Sequence, residues 1–201
     1  MPFFVAVNNT IARDMALVAR GHERVLRARL ADAQFFYRSD LEISDEDRVE
    51  KLKGVLFQAD LGTMYAKAER VGKIAQYVAG KVDTGLDGNA QAKALKTQVA
   101  RAARLCKADL VSQVVVEFPK LQGIMGRVYA TLSGELPTVA AAIEEHYRPI
   151  YSGAPLPDTL VGAILSIADK LDSICGCFSV GLTPTGASDP YALRRQGIGI
   201  V

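Results

Sequence analysis

The chain has 201 residues, of which 49% are hydrophobic and 23% charged, with a formal net charge of +2. That length carries one well-buried domain, or one domain plus a small appendage, and the mixture excludes a disordered segment. So small a charge excess neither demands nor forbids a polyanionic partner, which would have to meet a local basic patch.

In chain order, Phe3 to Val7 is a short apolar run closed by Asn8-Asn9-Thr10. It reads as one buried strand or extended segment with no later partner. No basic region or cleavage site marks this terminus as a leader, and no run of about 18 apolar residues follows anywhere, so no membrane is expected. Residues 1–12 read as the remnant of a preceding domain and 13–201 as a helical domain, with both termini as cut ends.

From Asp14 to Tyr37 the spacing is helical. Leu26, Leu30 and Ala33 fall on one side, expected to face the core, while Arg20, Arg24 and Arg27 recur at i, i+4, i+7 on another, with Arg29 nearby. Such a stripe is either a solvated face or a surface that contacts phosphates.

Ser44 and the acidic residues 45–47 predict a helix start, running on through Leu52, Val55 and Leu56. Leu61-Gly62-Thr63 interrupts the pattern, and Met64 to Ala79 resumes it with Val71, Ile74 and Val78 on the buried side. Gly80 to Asn89 reads as a loop. A long helix is expected from about Ala90 to Val116, although the run Leu110 to Val116 is short and apolar enough to suit a strand as well. Phe118-Pro119 ends it.

Leu121 to Ser133 reads as a helix in which Gly123 and Gly126 leave one flank bare for close packing. They do not read as a phosphate cradle, because no strand precedes them and no Lys-Ser/Thr follows. Pro137 starts a helix ending near His146, Pro157-Asp158 starts a longer one through Ile174, and Asp189-Pro190 starts the last, carrying Arg194 and Arg195. The expected class is all-α, a bundle of about seven helices with one short N-terminal strand or extended segment.

Catalytic chemistry is hard to place. Cys106, Cys175 and Cys177 are an odd number with no histidine nearby in sequence, and read as reduced thiols of a cytoplasmic protein. Cys175 and Cys177 lack the second ligand pair of a zinc site. His146 reads as a helix C-cap rather than a base, and His22 as part of the basic face.

The order Lys107-Ala108-Asp109, then Ala168-Asp-Lys-Leu-Asp172 on a later helix, resembles the HD phosphohydrolase superfamily, whose metal is held by two histidines and two aspartates. Here Lys107 and Asp109 stand where the His-Asp pair is expected, so Lys107, Asp109, Asp169 and Asp172 read as the positions of a degenerate site without a metal. A carboxylate pair such as Asp169 and Asp172 more often forms ion pairs, with Lys107 or Arg104 as the expected partner.

Five or six ordered blocks carry a closer likeness. Gly21-His-Glu-Arg24 with the arginine-rich helix after it, Leu61-Gly-Thr63, Glu117-Phe-Pro-Lys-Leu-Gln-Gly-Ile-Met-Gly126, Glu145-His-Tyr-Arg-Pro149, Ala168-Asp-Lys-Leu-Asp172 and Pro184-Thr-Gly-Ala-Ser-Asp-Pro-Tyr-Ala-Leu-Arg-Arg195 together resemble the beta subunit of bacterial glycyl-tRNA synthetase, in its middle, HD-like helical domain. The resemblance implies an all-helical fold and a role in attaching glycine to tRNA(Gly). The alpha subunit would hold the aminoacylation site, and other domains of the same beta chain would flank this one. It implies no cofactor here, with ATP and magnesium used by the complete synthetase. Candidate RNA contacts are Arg24, Arg27, Arg29, Arg194 and Arg195, acting by positioning; no catalytic residue is expected. A residual metal-dependent phosphohydrolase and a purely structural interdomain scaffold are the alternatives.

Overall fold

The structure is a computed structural model that describes residues 3–82, 89–151 and 153–201. The expected loop at 80–89 lies largely outside the described residues. The chain divides into two compact units, Met1–Glu42 and Ile43–Val201.

The first unit is one helix, α1 (Met15–Leu41), preceded by irregular chain. Asp14 caps it, its Oδ1 accepting the Leu17 N–H at 2.9 Å. Alanine, arginine and leucine, all strong helix formers, extend it over 27 residues. Of the two alternatives for Phe3 to Val7, the buried strand is not formed: the segment is irregular chain with exposed side chains. One expectation fails, since the apolar face of α1 is not a core face and Leu30 is 58% exposed. Apolar periodicity sets which residues share a side of a helix, but what covers that side is a tertiary matter.

The second unit is a helical bundle. Ser44 caps α2 (Asp45–Lys51), its hydroxyl accepting the Asp47 N–H at 3.1 Å. The helix stops earlier than the apolar spacing implies: a 3₁₀ turn at Leu52–Gly54 leads into β1 (Leu56–Gln58), which pairs antiparallel with β2 (Gly62–Thr63). Gln58 secures this hairpin, its side-chain oxygen accepting the N–H groups of Asp60 and Leu61. Thr63 then caps α3 (Met64–Ala79), whose bounds match the sequence reading.

The expected helix over 90–116 is broken. The helix α4 (Asn89–Leu105) ends at the Cys106-Lys107 turn, a 3₁₀ turn occupies Ala108–Val111, and Ser112 caps a new short helix, α5 (Gln113–Glu117). No glycine or proline marks the break; buried Lys107 and Asp109 turn away to polar partners instead. The helix expected from Leu121 likewise becomes a 3₁₀ turn, Pro119–Leu121, then α6 (Ile124–Leu132).

Pro137 opens α7 (Pro137–Glu145) as expected, with His146 as its C-cap. Thr159, rather than Pro157-Asp158, caps α8 (Leu160–Ser179). The last helix, α9 (Leu193–Ile198), begins three residues beyond the expected proline, although the Asp189 carboxylate still accepts the N–H groups of Leu193 and Arg194. The described residues thus hold nine α-helices and one small hairpin. Helix α8 lies at the centre, against α3, α4, α7 and α9. The core is small-residue rich: Val71, Ala75, Val99, Ala102, Ala103, Ile143, Leu165 and Ala168 are all buried.

Candidate functional site

Midway along α8 the apolar face gives way to Asp169, Asp172 and Ser173, all buried. Their partners come from α3 and from the break after α4. The Lys107 ammonium lies 3.0 Å from Asp169 Oδ2 and 2.8 Å from His146 Nε2. The Lys67 ammonium bridges the two aspartates, 3.1 Å from Asp169 Oδ1 and 3.0 Å from Asp172 Oδ2, and donates to Ser173 Oγ at 2.8 Å. Arg70 closes the chain with two bonds to Asp172, of 2.6 and 3.2 Å. Both lysines also lie against aromatic rings, Lys107 over Tyr147 at 4.2 Å and Lys67 over Phe57 at 4.7 Å.

The electrostatics follow from this geometry. Burial favours the neutral acid at Asp169, but the ammonium groups of Lys107 and Lys67 together outweigh it and hold the carboxyl well below the usual range. Burial, reinforced by Lys107, holds His146 well below the ordinary histidine value. The imidazole is therefore neutral. Its Nδ1 lies 2.6 Å from the Ile143 carbonyl and Nε2 faces the Lys107 ammonium, which assigns the proton to Nδ1. His146 caps its helix by hydrogen bonding rather than by charge.

Asp109 goes elsewhere. Its Oδ2 accepts the N–H groups of Gly123 and Gly126 at 2.6 and 3.1 Å, at the opening of α6. Both glycines are required. Gly123 has φ +79°, and a Cβ there would lie 2.7 Å from the Tyr147 ring; a Cβ on Gly126 would lie 2.6 Å from Ile143. The bare flank read from sequence is real, and its amides grip a carboxylate of the chain itself.

The four positions compared with an HD site therefore separate. Lys107, Asp169 and Asp172 share one ion-pair network, while Asp109 serves α6. Among the described residues no three His, Cys, Asp or Glu side chains gather to hold a metal ion. Lys107 is the expected partner of Asp169, but Arg104 is not: it pairs with Glu46 at 2.6 Å. Sequence reading missed Lys67 and Arg70. Lys67 had a legible signal, because it stands four residues before Val71 on the same stripe as Ala75 and Ala79, where a lysine needs a buried acid.

Nucleophilic chemistry finds no support in Cys106, whose thiol is buried and pushed up to about 12 by desolvation. The RNA-contact candidates lie at two places. Arg24, Arg27 and Arg29 are exposed on α1, with Arg27 paired to Glu23 at 2.6 Å. Arg194 and Arg195 are exposed on the first turn of α9, Arg194 donating to the Thr185 carbonyl at 2.6 Å. No helix of the described residues is long and apolar enough to cross a membrane.

Comparison with known proteins places this geometry in context. The family model described as "Glycyl-tRNA synthetase beta subunit" matches residues 1–201. The chain is 62% identical over all 201 residues to the glycine–tRNA ligase beta subunit of Desulforapulum autotrophicum, and 55% identical to those of Syntrophus aciditrophicus and Geotalea uraniireducens. It spans 28% of the length of each of these relatives.

Proposed function

Because this chain belongs to the glycyl-tRNA synthetase beta subunit family, we propose that it works within a glycine–tRNA ligase by holding tRNA(Gly) in place for the active site of an alpha subunit. Arginine side chains contact phosphates and fix the position of the tRNA, so the chain contributes proximity and orientation rather than a reacting group. In this reading the complete synthetase is cytoplasmic, uses ATP and magnesium, and joins this segment to other domains of the same beta chain. The bundle is a degenerate HD-like domain in which Lys107 and Lys67 neutralise Asp169 and Asp172 from within.

The observation that supports this reading most is the exposure of Arg24, Arg27 and Arg29 along one helix of 27 residues. Arg24 and Arg27, with Arg20 one turn before them, form a row on one side of the helix suited to a phosphate backbone, with Arg29 on another side, and such binding weakens steeply as salt rises. The test is glycylation by the complete beta subunit, with Arg24 and Arg27 both changed to alanine, assembled with its alpha partner. KM for tRNA is expected to rise several-fold with a shallower salt dependence and little change in kcat. Unchanged kinetics would remove the basic stripe from the mechanism and leave the interdomain scaffold.

A further inference from the structure

Beside the ion-pair network a cavity of about 390 Å³ opens between the turn before α6, the segment joining α7 to α8, and α9. Its charges are unbalanced. Lys120 and Arg195 line it and are exposed; neither forms an ion pair among the described residues, although the Asp189 carboxylate acts on Arg195 at longer range. Lys170 lies deeper, only 6% exposed, and its ammonium meets neutral oxygens alone: the Arg148 carbonyl at 2.7 Å, the Ser166 hydroxyl, and the His146 carbonyl at 3.4 Å. The one carboxylate lining the cavity among the described residues, Asp169, is already shared by Lys67 and Lys107. Three cations thus face a recess whose single anion is taken.

We propose that this cavity receives a terminal phosphate monoester of the kind carried at the 5′ end of an RNA strand. The volume lies within the range of small-ligand pockets. The floor, formed by His146, Asp169 and Lys170, is buried, so a group that approaches it enters end-on. An internal phosphodiester carries a nucleotide on each side and one negative charge; a terminal monoester has one neighbour and a charge near −2 at neutral pH, since its second pKa is about 6. Arg195 and Lys120 supply the hydrogen bonds, the guanidinium suiting two phosphate oxygens at once. Lys170 has spent its donors on the protein and supplies charge alone. Tyr147 and Tyr191 give the adjoining sugar or base an apolar wall.

The assignment to an RNA end rests on the tRNA reading above; a free nucleotide presents the same chemistry. The test uses the complete beta subunit with one tRNA in two forms, 5′-phosphorylated and 5′-dephosphorylated, and with AMP and inorganic phosphate as free competitors. Dephosphorylation is expected to weaken binding about tenfold or more, and Lys120→Ala with Arg195→Ala, both at exposed positions, to abolish that difference. Equal, salt-sensitive binding of the two forms overturns the pocket while leaving the tRNA reading intact. If neither form binds, the tRNA reading fails. AMP binding that is lost in the same variant then keeps the pocket with a free nucleotide as its occupant, and no AMP binding removes both.

Discussion

Lys107 and Asp169 meet at 3.0 Å inside the bundle, each 9% exposed or less, although 62 residues separate them in sequence. The pair ties the break after α4 to the middle of α8. Removing the acid strands the buried Lys107 ammonium and leaves Lys67, which approaches the same carboxylate, with Asp172 as its one remaining anion. Asp169→Asn is expected to destabilise the fold by about 3–5 kcal/mol, whereas breaking the contact and its burial cost together with apolar residues at 107 and 169 costs less. Urea unfolding of the single and double variants checks the order.

The same pair sets the response to acid. The folded-state pKa of Asp169 is depressed, so its stabilisation is fully present above the unfolded value of about 3.9 and is lost as pH falls through and below it. The acid limb of a stability profile is expected to flatten in Asp169→Asn relative to the parent.

Lys170 acts in the opposite range. Burial lowers its folded-state value to about 8 from 10.5, against the pull of Asp169. Between those two values the unfolded chain binds more protons than the folded one, so this group makes stability rise with pH across that window. Lys170→Met should remove that contribution, read as a smaller slope of unfolding free energy between about pH 8 and 10.

Adding one methyl group tests the approach of α6. Gly126→Ala drives a Cβ against Ile143 and the Asp109 carboxylate and is expected to cost about 1–3 kcal/mol. Gly123→Ala adds a positive φ to a collision with Tyr147 and should cost more. Thermal melts of both variants beside an alanine substitution at Gly134, which has open space around it but also a positive φ, separate collision from backbone strain.

Thiol titration gives an independent check on burial. Cys175 is exposed and Cys106 and Cys177 are buried, with Cys106 held far above the usual thiol range by desolvation. One thiol of the three should react rapidly with an aromatic disulfide in the native state, and Cys175→Ser should abolish that fast phase.

Much of the helical architecture was legible because its signals are local. Ser44 marks a helix start through its side-chain hydroxyl and Pro137 through its fixed φ, and the apolar spacing of Val71, Ile74 and Val78 carries α3. The errors occur where distant partners decide. Nothing in the run from Ala90 to Val116 breaks a helix by propensity; the chain turns because Lys107 must reach Asp169 and Asp109 must reach Gly123. The α1 face containing Leu30 has the same spacing as a buried one yet stays exposed. Of the ionic network, Asp169 and Lys107 were readable as a pair, but Arg70 was not, since a charged residue on a helix gives no sign of which acid lies above it.

The seating of Asp109 on the opening amides of α6 has one more consequence. A helix start with free N–H groups is a place where dissolved anions gather. Here the occupant is tethered to the same polypeptide and is only 1% exposed, so a dissolved anion would have to displace a buried intramolecular partner. Sulfate or phosphate in the buffer will leave that end of α6 unchanged, and only a variant that loses the carboxylate, such as Asp109→Ala, will become sensitive to them.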